Sequence, residues 1–185
     1  MRKLSILALI LMFTGFAAAQ VPTSGNIFVG YSYQNADASG LDLSGLSRLN
    51  MQGWEASLEG KVFPHIGIVA DFSGHYGSEG FTELTPNGAV AVNVTAHEED
   101  VLFGPRVSFS IGKLRPFAEI EGGIGHTNTN AFGSDTSWAW AIGGGVDYRI
   151  VRPVALRLEG DYVSTGFFSQ TQENFRISTG IVFRF

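Results

Sequence analysis

Four histidines, His65, His75, His97 and His126, are the side chains of this sequence best suited to metal ligation or proton transfer. They are placed on a turn, near two strand rims and at a strand end. None has the paired ligand spacing that marks a metal site. His126, within "GHTNTN" (125–130), is the best single candidate for a hydrolytic base. A nucleophile must come within hydrogen-bond reach of such a base. Thr127 and Asn128 stand where a Ser would be wanted, and no acid of the same parity is evident nearby. The run Gly143–Gly145 lacks the following helix that a phosphate cradle needs. "HEED" (97–100) offers a weak calcium-type patch, read more simply as a solvated strand start. The expectation is therefore no catalytic residue, no metal ligand, no cofactor and no enzyme activity.

A second group of residues could do electrostatic work instead. Glu55, Glu59, Asp71, Asp100, Glu119, Glu121, Asp147, Glu159 and Asp161 share one parity pattern with Lys61, Arg106, Arg149, Arg157, Arg176 and Arg184. Buried charges persist only when paired, and this mixed-sign set can form a network. In "VALRLEGDY" the residues Ala155, Arg157, Glu159 and Asp161 alternate with Val154, Leu156, Leu158, Gly160 and Tyr162. In the last segment Arg176 and Arg184 alternate with Phe175, Ile177, Ile181, Phe183 and Phe185. A period of two means strands with two chemically different faces.

The elements that must carry these residues are eight strands, over 26–34, 52–62, 66–76, 98–111, 115–126, 137–150, 154–163 and 174–185. Tight turns follow the second, fourth and sixth, around Pro64–His65, Gly112–Leu114 and Val151–Pro153. Long polar segments follow the others, at 35–51, 77–97, 127–136 and 164–173, of which 77–97 reads either as a mobile loop or as partly an extension of its hairpin. This is an up-and-down antiparallel meander, able to close into a barrel without edges. The composition agrees: 24 Gly, 15 Phe and no Cys suit short strands and tight turns and exclude a disulfide framework.

Residues 1–19 read as a cleavable secretory signal. Arg2 and Lys3 precede an apolar run of 13 residues, Leu4–Phe16, and Ala17 and Ala19 frame an A-x-A cleavage site. The run falls short of the roughly 20 residues that span a bilayer. The domain that follows, 20–185, keeps 10 of the 12 basic residues against 17 acidic ones, formally −7. Nucleic acid is thereby excluded as a partner.

Parity alone leaves two barrels open. A soluble lipocalin-type barrel turns its apolar face inward around a ligand; a membrane barrel turns it to lipid. Tyr31, Tyr33, Trp54, Tyr76, Trp138, Trp140, Tyr148 and Tyr162 lie on the apolar parity near strand ends, as interfacial girdles do. The charged parity mixes in Gly, Ala and Ser, as a crowded eight-stranded interior requires. A single Arg or Lys facing lipid at the midplane costs about 2–4 kcal/mol. The charged face is therefore expected in the lumen.

The last strand, alternating and ending in Phe, resembles the carboxy-terminal signal of bacterial outer-membrane barrels. "GGGVDYRIVRPVALRLEGDY" (143–162) is similar to the penultimate hairpin of the OmpA-like, eight-stranded outer-membrane β-barrel family, and "LFGPRVSFSIGKLRPFAEIEGGIG" (102–125) to its central hairpin. The resemblance implies an outer-membrane location, lipid and lipopolysaccharide as surroundings, and a monomer. It also implies delivery by periplasmic chaperones to the barrel-assembly machinery, which would read Phe185 with Phe183 and Ile181 in support. Nothing follows Phe185, so a peptidoglycan-binding domain is not expected. The function expected is structural or surface-interacting, with a polar plug in the lumen. A small pore, a lipid-modifying enzyme and the soluble ligand-binding barrel are the alternatives.

Overall fold

The structure, a computed structural model, describes residues 24–37, 48–85, 88–130 and 133–185. The expected signal segment 1–19, with Ala17 and Ala19, lies outside them. Eight strands run in chain order: β1 (Gly25–Asp37), β2 (Arg48–Lys61), β3 (Ile66–Thr85), β4 (Gly88–Ser108), β5 (Leu114–Thr129), β6 (Gly133–Arg149), β7 (Val154–Thr165) and β8 (Gln172–Arg184). Each pairs antiparallel with the next, and β1 pairs with β8, so the sheet is a closed barrel. At the seam Ile27 lies opposite Phe183 and Val29 opposite Ile181.

The tight turns stand where expected. Phe63 and Ile66 exchange backbone hydrogen bonds, as do Ile111 and Leu114; Val151 and Val154 do the same. Gly112 takes φ 63°, a left-handed conformation that a residue with a Cβ rarely adopts. The other end departs from expectation. Segment 77–97 is no loop: β3 and β4 continue through it as one hairpin, with Tyr76 opposite His97 and Ser78 opposite Thr95. The segment 127–136 is likewise mostly strand, and 164–173 holds a 3-10 turn at Phe167–Ser169. In the other direction β4 stops at Ser108, leaving Phe109–Ile111 in the turn.

The two faces are those the alternation predicts. Val29, Leu58, Phe103, Ile120 and Leu158 point outward, each more than half exposed. Tyr31, Trp54, Tyr76, Trp138 and Trp140 ring the long-hairpin end, while Tyr148 stands near the tight turns. Trp54 lays its indole over Gly74, where an added Cβ would come within 2.8 Å of its Nε1. An apolar outward face excludes the soluble lipocalin-type arrangement, whose apolar residues line the inside.

Candidate functional site

The interior is where this chain concentrates its polar chemistry. At the turn end, Arg106 on β4 bonds Glu119 across the β4–β5 pair and reaches Glu159 at 3.3 Å. Arg157 on β7 holds Asp147 at 2.8 Å and Glu159 at 3.4 Å. Glu59 gathers Lys61 at 2.7 Å, Arg115 at 3.0 Å and Arg106 at 3.7 Å. Arg184, at the rim, closes on Asp147 at 3.1 Å. Between these guanidinium groups lie two inward aromatics. The Phe117 ring is 4.5 Å from the guanidinium carbon of both Arg106 and Arg157, and Phe28 is 4.8 Å from that of Arg157. Such cation–π stacking covers the flat faces of the cations while carboxylates take their edges.

A second level sits toward the long hairpins. Arg176 on β8, buried, holds Asp161 and Asp71 at 3.0 Å each and Glu55 at 3.4 Å. Gly143 makes room for Asp161, because a Cβ there would lie 1.9 Å from its Oδ1. Ser178 Oγ lies within hydrogen-bond distance of both Glu55 and Ser32, and Ser32 meets His75 Nε2 at 2.9 Å. Above them Gln34 Nε2 donates to Glu98 at 3.0 Å. The lumen then closes with apolar groups: Ala36, Leu49, Met51 and Ala96 in one cluster, and the buried Phe167 beside Gly125 and Asp100.

Of the charged residues expected in the lumen, Glu55, Glu59, Lys61, Asp71, Arg106, Glu119, Asp147, Arg157, Glu159, Asp161, Arg176 and Arg184 meet in these ion pairs. Glu121 and Asp100 are buried there without an ion pair within 4.0 Å among the described residues. Arg149 departs: its parity is inward, but it lies at the mouth and donates to the Gly112 carbonyl at 3.2 Å. Arg115 was not among the expected members and belongs to the network. The signal for it was present, since it shares parity with Glu119 and Glu121. Asn26, Gln34 and Glu98 join on the same grounds. His75, expected near a rim, is wholly buried because β3 runs on above it.

Chemistry on the outer wall differs in detail from the expectation. His97 does have a second ligand type two residues on: Glu99 Oε1 lies 3.3 Å from its Nε2, and Tyr76 stacks on its ring at 4.3 Å. An acid does lie near His126, for register places Glu99 directly opposite it. Thr136 Oγ1 sits 2.7 Å from His126 Nδ1. Glu99 pairs with His97, and among the described residues no ion pair joins it to His126, so this row is not assembled as acid, base and nucleophile. Inside, oxygens of Glu119, Glu159 and Asp161 lie within 4.8 Å of one another, a spacing compatible with a metal. Arg106, Arg157 and Arg176 already occupy that space with positive charge, so the arrangement suits guanidinium groups and not a metal ion.

No protein-family model and no curated protein matches the chain. Solved structures do. Neisserial surface protein A superposes with a TM-score of 0.65 at 12% identity, over 87% of this chain and 97% of that one. The attachment invasion locus protein Ail of Yersinia pestis superposes at 0.56 with 17% identity, over 88% and 98%. Ail solved with the heparin analogue sucrose octasulfate gives 0.55 at the same identity and coverage. The chain thus has the fold of the eight-stranded outer-membrane β-barrels.

Proposed function

We propose that this chain works as a closed barrel in the bacterial outer membrane, structural in its transmembrane part and surface-interacting through its hairpin end. One observation carries the reading. Ion pairs at two levels, stacked rings and an apolar cluster occupy the described lumen, while the outer face is a continuous apolar belt. An eight-stranded barrel has an interior just wide enough for its own side chains. Likeness of fold to surface barrels supports the location. Lipid and lipopolysaccharide are then the immediate partners, and Ile181, Phe183 and Phe185 the segment offered to chaperones and the assembly machinery. Ail was solved with a heparin analogue, but the hairpin end of this chain presents acidic Glu79, Glu99 and Asp135, so a polyanionic partner is not part of this proposal. Planar-bilayer recording on the purified, refolded chain tests the plug. The expected outcome is a quiet bilayer; stable, large single-channel steps would establish the pore instead.

A further inference from the structure

Charge is unevenly divided along the barrel axis. After the signal segment the chain has ten basic residues: Arg48, Lys61, Arg106, Lys113, Arg115, Arg149, Arg152, Arg157, Arg176 and Arg184. All but Arg48 and Arg176 belong to the turn-end half. Arg48 lies at the hairpin rim and donates to the Asn35 and Glu173 carbonyls. Arg176 is therefore the single cation among six buried carboxylates, Glu55, Asp71, Glu98, Asp100, Glu121 and Asp161. It pairs with three of them. Unpaired charges in such a setting cost several kcal/mol each. Water can supply hydrogen bonds there but not charge, and the sequence holds no further basic residue to supply it.

Buried carboxylate oxygens without a hydrogen-bond partner among the described residues occur through this acidic half, at Glu55, Glu121 and Asp161 as well, and Asp100 is the carboxylate with neither oxygen so partnered. Glu98 and Asp100 lie on the same face of β4, two residues apart, and Gln34 of β1 is joined to Glu98 by its amide nitrogen. That bond fixes the amide orientation and leaves Gln34 Oε1 buried without a hydrogen-bond partner among the described residues. Glu98 Oε1 and both oxygens of Asp100 are in the same condition. The three side chains are no more than 3% exposed. Four acceptor oxygens, with only the Ser73 hydroxyl beside Asp100 as a near donor and two of the three groups being carboxylates, make a ligand set for a hard cation. A cavity of about 30 Å³ bordered by Asp37, Met51, Glu98 and Thr127 lies at the mouth above them.

We propose that Gln34, Glu98 and Asp100 form a binding site for a hard divalent cation of the calcium or magnesium class, reached from the hairpin end. Neutral amide and carboxylate oxygens are the donors such ions take, and the ion supplies the positive charge that Arg176 alone does not. The inference uses the closed lumen of the reading above. Its test is separate, so a barrel that is silent in a bilayer yet takes no ion overturns the site and not the plug.

The experiment uses the full barrel refolded in detergent micelles, freed of metal with EDTA and titrated with CaCl2 at fixed ionic strength. Calorimetry is expected to show saturable uptake of about one ion per barrel, with the thermal midpoint rising as calcium increases. The substitutions Glu98→Gln and Asp100→Asn together are expected to weaken uptake at least about tenfold. Glu173→Gln, at an exposed outward position, is expected to leave it unchanged. Absence of saturable uptake overturns the site and leaves protons as the neutralising charge; equal uptake by the double variant overturns it too. Should that variant not fold, terbium luminescence of the wild-type barrel decides. Emission displaced by calcium supports the site, and emission that is absent or not displaced overturns it.

Discussion

Arg106 is the residue whose removal most directly tests whether the lumen is held by paired charge. It is buried, and among the described residues it is the only cation that Glu119 meets. Asp147, by contrast, is shared by Arg157, Arg184 and, at 3.9 Å, Arg115. Glu159 is shared by Arg106 and Arg157. Replacing Arg106 with Met keeps the length of the side chain and leaves Glu119 buried and alone. Breaking a buried pair in this way costs about 3–5 kcal/mol. A Coulomb estimate agrees: unit charges ~4 Å apart at an effective dielectric of ~20 attract by about 4 kcal/mol. With a urea slope of about 2 kcal/mol/M, the unfolding midpoint of the micelle-refolded barrel should fall by about 2 M. Adding Glu119→Gln should recover most of the loss, since it removes the stranded charge. Arg157→Met should lose less, about 1–2 kcal/mol, because each of its carboxylates keeps another guanidinium. Tryptophan fluorescence against urea, read beside heat-modifiable gel mobility, measures all four proteins. An Arg106→Met barrel within about 1 kcal/mol of wild type, or a double variant no better than the single, would refute the reasoning.

Two further outcomes follow from the outer face. Leu158 points outward at mid-strand, and Leu158→Arg should lower stability by about 2–4 kcal/mol in the same urea assay; an unchanged midpoint would contradict a lipid-facing belt. Phe185 is exposed and tied to the barrel through backbone bonds with Gly25, so Phe185→Ser should move the refolded midpoint by less than about 1 kcal/mol. The same change should sharply reduce folded protein in the outer-membrane fraction of cells, and equal yields would remove the proposed role of the terminal aromatic.

Parity was legible in the sequence; depth was not. The alternation of Arg157, Glu159 and Asp161 with Leu156, Leu158 and Tyr162 places every one of them on its observed face. It says nothing about how far along the axis a residue sits. Arg149 has the inward parity of Asp147 yet ends at the mouth, against Gly112. His75 has inward parity and was set at a rim because the strand was expected to end near it. β3 and β4 run on through 77–97, where the apolar–polar contrast between faces fades. Hydropathy alternates only where the two sides differ; at this end the lumen side is itself apolar, with Leu49, Met51 and Ala96 buried in it, so the ladder continues while the contrast is lost. Arg115 was hidden for another reason. It follows a turn and precedes Pro116, and its parity includes Phe117, so the interior face did not read as purely polar there.

The same contrast explains why the interior is ionic at all. Buried ion pairs seldom stabilise a fold more than well-packed apolar groups of the same size would. In this barrel, though, the outer face is already apolar, and an apolar lumen would give the chain eight segments hydrophobic on both sides. Nothing would then distinguish one strand register from the next, because a shift of one residue exchanges the two faces. With Arg106, Arg157 and Arg176 inside, that shift drives each guanidinium into lipid at about 2–4 kcal/mol, a total of about 6–12 kcal/mol. That is comparable to the entire stability of a typical domain. The network therefore acts through the arrangements it forbids: its charges make the observed pairing of β4 with β5 and of β7 with β8 the one in which these three arginines meet carboxylates.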